Sequence, residues 1–334
     1  MDLLNEIKLK AERFPKDYRT IGIEAVLLHI ETAEKYFKRA KEESDENLYT
    51  DVIYRTNHAY EGILKEAYLM FADKESENIN PYEIENYFLD NNIFNDRVLN
   101  LFSNYRKEWR NVSTHDYKLF FSAQEAFLAI VNVSAFVIIL LDQIIEKINS
   151  LIEKQKIEKK IKSIISKIDR YDSLPFHDKI RSLLIQFYTS EKSEIDSGIN
   201  ESELVGKIIG FLGTIDSDLL IERDNIVEYK HGKFQIDLIV SKNNEKVVVE
   251  IKRIGSAFYD LHRPEQQLLN YLYITKIQNG ILFVYRPGTE GIKAWTQPDL
   301  GLMDKQYSVT TVAPKELCPN IALTLSGKQE RLAN

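Results

Sequence analysis

The sequence predicts two domains, an all-α four-helix bundle followed by an α/β core on a mixed sheet. Three observations carry this expectation. Apolar residues recur at three- and four-residue steps through roughly the first 150 residues, the period changes to strand-like after Gly198, and 334 residues suit two compact cores better than one. The expected boundaries are 1–150 for the bundle, 151–194 for a basic helical connector, 195–315 for the α/β domain and 316–334 for a loose tail.

In the bundle, Ile21 to Lys41 carries Ile23, Val26, Leu27, Ile30, Ala33 and Phe37 on one stripe, and Leu48 to Asp73 repeats the pattern through Val52, Ala59, Ile63 and Ala67. Asn80-Pro81 supplies an N-cap and a first-turn proline for a third helical stretch reaching Tyr105, and a fourth runs from about Lys118 towards Ile148. From Leu151 to Arg170 lysines outnumber acids while isoleucines keep a helical period. That segment reads either as a solvated connector with one packed face or as a basic wall facing nucleic acid.

The second half opens with a helix over 203–212, followed by strand-like runs at Leu219–Tyr229, Lys233–Val240 and Glu245–Arg253. Asn243-Asn244 is a hairpin turn between the last two. A helix over Arg263–Lys276, a short apolar strand at Gly280–Tyr285 and a strand-like piece at Tyr307–Val312 complete the expected order.

Composition sets limits on function. With 44 basic and 51 acidic residues the net charge is −7, which argues against a histone-like DNA-coating protein but leaves room for a local basic groove. The single cysteine, Cys318, excludes a disulfide framework and a cysteine-based zinc site and fits a reducing cytosol. The amino terminus is charged from Asp2, so no secretory signal is expected. Ala126 to Leu141 is an apolar run of 16 residues containing Asn132 and Ser134, short for a membrane span and suited to a buried bundle helix. A cytoplasmic protein with no membrane partner is expected. No G-x-x-x-x-G-K-[ST] loop occurs, so ATP hydrolysis is not expected.

In Val247-Val248-Val249-Glu250-Ile251-Lys252 charge interrupts an apolar strand, and alternation puts Glu250 and Lys252 on one face with Val249 and Ile251 on the other. On the preceding strand Phe234, Ile236, Leu238 and Val240 are expected to share a face, leaving Asp237 on the opposite one. Pairing through the Asn243-Asn244 turn brings Asp237 near Glu250. Two such carboxylates repel unless a cation or lysine offsets them. A hard divalent ion would do so through oxygen ligands, polarise a phosphodiester and acidify a bound water. Lys252 could orient or deprotonate that water, or stabilise charge on the phosphate.

Asp237 followed thirteen residues later by Glu250-Ile251-Lys252 resembles the PD-(D/E)xK nuclease superfamily, with its restriction-endonuclease-like core, over about 195–290. Ile236 stands where the family name has proline. The resemblance implies Mg²⁺ or Mn²⁺ held by Asp237, Glu250, the main chain of Ile251 and a helix carboxylate, Glu203 as first candidate and Glu201 as second. Gln267 and Tyr271, one helical turn apart, resemble the family's QxxxY element, although plain helix-surface packing would explain them equally.

The bundle carries a second polar cluster, Glu108-Trp109-Arg110-Asn111-Val112-Ser113-Thr114-His115-Asp116. Arginine can neutralise a phosphate and histidine can move a proton near neutral pH, enough for metal-independent RNA cleavage through the 2′-OH. Arg110 and His115, with Asn111 beside the arginine, resemble the Rx4–6H signature of HEPN domains, and Tyr54 to Lys65 resembles a HEPN helix. The resemblance implies dimerisation, with two motifs forming one cleft. The structural alternative is that Arg110 and His115 cap helix ends and pair with Glu108 or Asp116. His29 and His58 sit within helical patterns and read as packed or surface residues; His177, His231 and His262 lack metal-ligand spacing.

The expectation is therefore a metal-dependent endonuclease, of DNA first and RNA second, joined to a dimerising or regulatory HEPN-like bundle. By resemblance, its setting is a microbial antiviral-defence effector with a further defence-system subunit as partner. The alternatives are a HEPN ribonuclease toxin whose second domain only binds nucleic acid, and a non-catalytic binding module.

Overall fold

The structure, a computed structural model, describes residues 2–18, 20–74, 78–94, 96–115, 120–229, 232–255, 260–296 and 306–318; of Lys16, Asp96, Arg97, Thr114 and His115 only the main chain is described. The chain forms two compact units, residues 1–149 and 150–334.

The first unit is helical. Helix α1 (Leu3–Glu12) starts at an Asp2 cap, and α2 (Ile21–Glu43) starts at Thr20, whose hydroxyl accepts the Ile23 N–H at 3.2 Å. α2 packs antiparallel on α3 (Asn47–Ala72); Ser44 and Asp73, both at positive φ, end the two helices. α4 (Pro81–Asp90) begins with the expected Asn80-Pro81 signal, completed by a reciprocal cap with Glu83. The third helical stretch is not continuous. The chain turns at Asn92, φ 51°, resumes as α5 (Asp96–Tyr105), passes through a π-helical turn at Arg106–Arg110 and ends in α6 (Asn111–His115). Tyr60 stacks on Phe136, and Phe102 meets Phe136 edge to face with ring centroids 4.4 Å apart, all three buried at the centre.

α7 (Ala123–Ile157) starts at a Ser122–Glu125 cap, five residues later than expected, and runs nine residues further. It is long and apolar enough to cross a bilayer, yet Ala126, Val133, Val137, Leu140, Ile144 and Ile148 are buried within the protein. That burial accounts for the apolar run as core.

In the second unit come α8 (Ile161–Ile165), α9 (Phe176–Asp196), α10 (Glu201–Ile215), β1 (Leu220–Tyr229), β2 (Gly232–Lys242), β3 (Glu245–Arg253), α11 (His262–Thr275), β4 (Asn279–Tyr285), β5 (Ile292–Thr296) and β6 (Ser308–Pro314). The sheet is mixed, in the order β1-β2-β3-β4-β6-β5: β3, β4 and β6 run parallel and the other neighbours antiparallel. Asn243 and Asn244, φ 49° and 69°, make the two-residue hairpin the sequence predicts. β5 lies in a stretch the sequence reading left unassigned. α9 and α10 cover one face of the sheet, around Phe187, Phe211 and Phe283, and α11 covers the other through Leu268 and Leu272. A Cβ on Gly280 would press on both those leucines at 3.0–3.1 Å, so glycine sets how closely α11 approaches β4. The stretch 151–194 has a packed face. Ile157, Ile164, Ile180, Leu183 and Phe187 from it belong to the core beneath the sheet.

The facing on β2 differs from simple alternation. Leu238 and Val240 point into the α9/α10 core, whereas Phe234 and Ile236 pack on the α11 side. The switch falls at Asp237. Across from it Asp224 of β1 sits at φ 50°, the β1–β2 register skips that step, and the β2–β3 ladder ends at Leu238–Val249. The left-handed residue is on β1, and the β1–β2 ladder is interrupted where it lies opposite Asp237.

Candidate active site

Where β2 leaves β3, the Asp237 carboxylate replaces the missing strand partner: its Oδ2 accepts the Ile251 N–H at 2.7 Å. Glu250, one residue earlier on β3, is 1% exposed. Its Oε1 receives Lys252 Nζ at 2.6 Å and Gln267 Nε2 at 3.2 Å, and its Oε2 is buried and reached by no N–H or hydroxyl donor among the described residues. Gln267 Nε2 also meets the Tyr271 hydroxyl at 2.6 Å, so the two α11 residues belong to the cluster rather than to a plain helix surface.

The electrostatics follow from burial. Desolvation pushes the Glu250 carboxyl above the ordinary glutamate range, and the Asp237 charge adds to this against the pull of Lys252. Asp237 is also raised by burial, partly offset by the Ile251 N–H. Burial opposes the Lys252 charge, but Glu250 and Asp237 together hold its pKa above that of an ordinary lysine. The two carboxyls also hydrogen-bond each other, an arrangement that needs a proton or a cation between them.

Of the two candidate helix carboxylates, Glu203 takes part in a helix cap and Glu201 feels the charges of the β2–β3 cluster. Glu203 Oε2 accepts the Asn200 N–H at 2.9 Å while Asn200 Oδ1 accepts the Glu203 N–H at 2.7 Å, a reciprocal cap that occupies the third helical position. Glu201, two residues earlier, has its pKa raised by burial and next by the Asp237 charge, with Lys252 opposing. Tyr285 on β4, which the sequence reading passed over, is fully buried; burial and the Glu201 charge push its phenol up to about 12, and its hydroxyl has no partner among the described residues.

The donor set suits a hard cation. Asp237 and Glu250 offer oxygens on one side of the β2–β3 divergence, one of them reached by no N–H or hydroxyl donor among the described residues. Ile251 turns its side chain into the opposite core and has only its main-chain carbonyl to give. Among the described residues no three His, Cys, Asp or Glu side chains are grouped to hold an ion by themselves. The remaining positions would fall to water or substrate oxygens.

The Arg–His motif of the first unit lies along the π-helical turn and α6. Arg110 Nε pairs with Glu61 Oε1 of α3 at 2.7 Å and its Nη1 meets Asn111 Oδ1 at 3.1 Å. Ser113, bonded to the Arg110 carbonyl and to Asn57 of α3, pins the turn. The Arg110 partner on α3 is thus a residue distant in sequence rather than Glu108. The His115 side chain, Asp116 and His231 lie outside the described residues.

Comparison with known proteins adds one assignment. No curated protein matches the chain. Residues 225–294, from β1 to β5 and including Asp237, Glu250, Lys252, Gln267 and Tyr271, match the PD-(D/E)XK nuclease superfamily.

Proposed function

We propose that the second unit is a divalent-metal-dependent endonuclease acting on DNA, centred on Asp237, Glu250 and Lys252. The observation that carries it is the pair of buried carboxyls at the β2–β3 divergence, with Glu250 Oε2 reached by no N–H or hydroxyl donor among the described residues and Lys252 2.6 Å from Oε1. Asp237, Glu250 and the Ile251 carbonyl would hold Mg²⁺ or Mn²⁺, with Glu201 beside them, and the ion would supply Lewis-acid polarisation of the phosphodiester. The protein's own groups do the rest. The Ile251 N–H fixes the Asp237 carboxylate. Gln267 orients Glu250. Lys252, kept charged by its neighbours, stands where it can stabilise charge on the phosphate or orient the attacking water.

In this reading the helical unit is a HEPN-like module for dimerisation and regulation, and the protein acts as an antiviral-defence effector with a further subunit. Resemblance in the Arg110–His115 region supports this part. The Arg110–Glu61 pair weighs against an arginine held ready for a scissile phosphate.

The experiment compares supercoiled DNA, single-stranded DNA and RNA with Mg²⁺, Mn²⁺ or EDTA, using Lys252→Ala and His115→Ala proteins. DNA cleavage that EDTA and Lys252→Ala abolish and His115→Ala leaves intact is expected. RNA cleavage that persists in EDTA and disappears with His115→Ala would move the activity to the helical unit, and no cleavage of any substrate would leave a binding module.

A further inference from the structure

The first unit gathers a cluster of basic side chains that no carboxylate among the described residues offsets. His29 on α2 and His58 on α3 stack with ring centroids 5.1 Å apart and planes 19° apart. Arg55, one turn before His58, places Nη1 3.4 Å from His29 Nδ1 and its guanidinium over the Tyr36 ring, 5.9 Å from the centroid. A guanidinium can only donate, so His29 Nδ1 accepts and its proton sits on Nε2. Among the described residues no carboxylate lies within ion-pair distance of any of the three, although Asp51 precedes Arg55 by one turn. Three groups able to carry positive charge thus meet one another with no counter-charge. Burial, His58 and Arg55 accordingly lower the His29 pKa.

We propose that Arg55, His29 and His58 form a phosphate-binding site on the helical unit, for a phosphate ester either free in a nucleotide or carried by a single-stranded nucleic acid. An oxyanion accepts from the N–H groups that Arg55 leaves unused, from His29 Nε2 and from the more exposed His58, and supplies the counter-charge that Arg55 lacks. A metal ion fits less well, because Arg55 occupies the one His29 nitrogen that carries a lone pair. On α3, Arg55, His58 and Glu61 follow at three-residue steps and hence on successive turns of one face, and Glu61 holds Arg110. A strand carrying several phosphates therefore has a polar strip to follow, whereas a mononucleotide uses the Arg55 end alone.

The test is binding by the full chain in EDTA, with inorganic phosphate, adenosine 5′-monophosphate and a labelled 12-nucleotide single-stranded RNA as probes. Calorimetry and fluorescence anisotropy serve as readouts, with imidazole resonances reporting the location. Arg55→Gln and His58→Gln are each expected to weaken binding by about tenfold or more, with unchanged melting temperature. RNA far tighter than the mononucleotide identifies nucleic acid as the source, and equal affinity identifies the nucleotide. Failure of wild type to bind any probe, or wild-type affinity in both variants, overturns the site. Neither result bears on metal-dependent cleavage, which Lys252→Ala tests separately.

Discussion

Asp237 accepts the main-chain N–H of Ile251 at 2.7 Å, in the place where an antiparallel strand partner would otherwise be. One carboxylate thus terminates a ladder and anchors the candidate centre. The two roles separate by mutation. Asp237→Asn keeps an acceptor oxygen and should melt close to wild type while losing cleavage. Asp237→Ala leaves a buried N–H unsatisfied and should cost a further ~1–3 kcal/mol, read from urea denaturation. Equal stability of the two variants would remove the anchoring role.

Gln267 touches the substrate side of the cluster only through Glu250 and Tyr271. As a positioning residue, its replacement in Gln267→Ala should lower activity and apparent Mg²⁺ affinity together, by roughly 10–100-fold, with the melting temperature little changed. A change in neither would return Gln267 to the helix surface.

Glu201 and Glu203 should respond in opposite ways. Glu203→Ala removes half of a reciprocal cap and should cost ~0.3–1.5 kcal/mol of stability with activity per folded molecule retained. Glu201→Gln should leave stability alone and reduce cleavage, because its carboxyl sits in the field of Asp237 and Lys252. Measured turnover and melting curves of both variants decide between them.

The core beneath α10 contains a charged cluster. Lys207, 5% exposed, meets Glu191 at 3.2 Å, Glu194 at 2.7 Å and Glu153 at 3.7 Å, and Lys156 also pairs with Glu191. Lys207→Met should cost ~3–5 kcal/mol, because it strands buried carboxylates. Burial first, and Glu191 second, raise the Glu153 pKa above its ordinary 4.5. A carboxyl that holds its proton more tightly when folded stabilises most below the unfolded value, and that contribution is lost as pH rises through the folded value. Glu153→Gln should therefore gain on wild type in melting temperature as pH increases from 4.5 upward. A difference that stays flat with pH would show that Glu153 ionises without penalty.

Much of the molecule was readable from local rules. Asn80-Pro81 marks a real helix start, Asn243-Asn244 makes the hairpin, and the alternation through Val247–Lys252 places Glu250 and Lys252 on one face. Each of these is decided within about four residues by capping, turn chemistry or period. Glu203 takes part in a capping box, a role its first-turn position signals as readily as a site carboxylate. β5 is short and half exposed, with little apolar contrast to reveal it. His29 and His58 are 29 residues apart in sequence, and only the α2–α3 packing stacks them.

By itself the sequence determined the helical first half, the mixed α/β second half and the three residues Asp237, Glu250 and Lys252, since periodicity and hairpin register are local properties of a chain. Only the tertiary structure decided that β2 reverses its facing at Asp237, that Glu201 lies in the field of Asp237 and Lys252, and that Arg110 pairs with Glu61. Those outcomes depend on which strands part and which helices pack. Free energies summed over contacts distant in the chain settle such questions, and no local pattern encodes them.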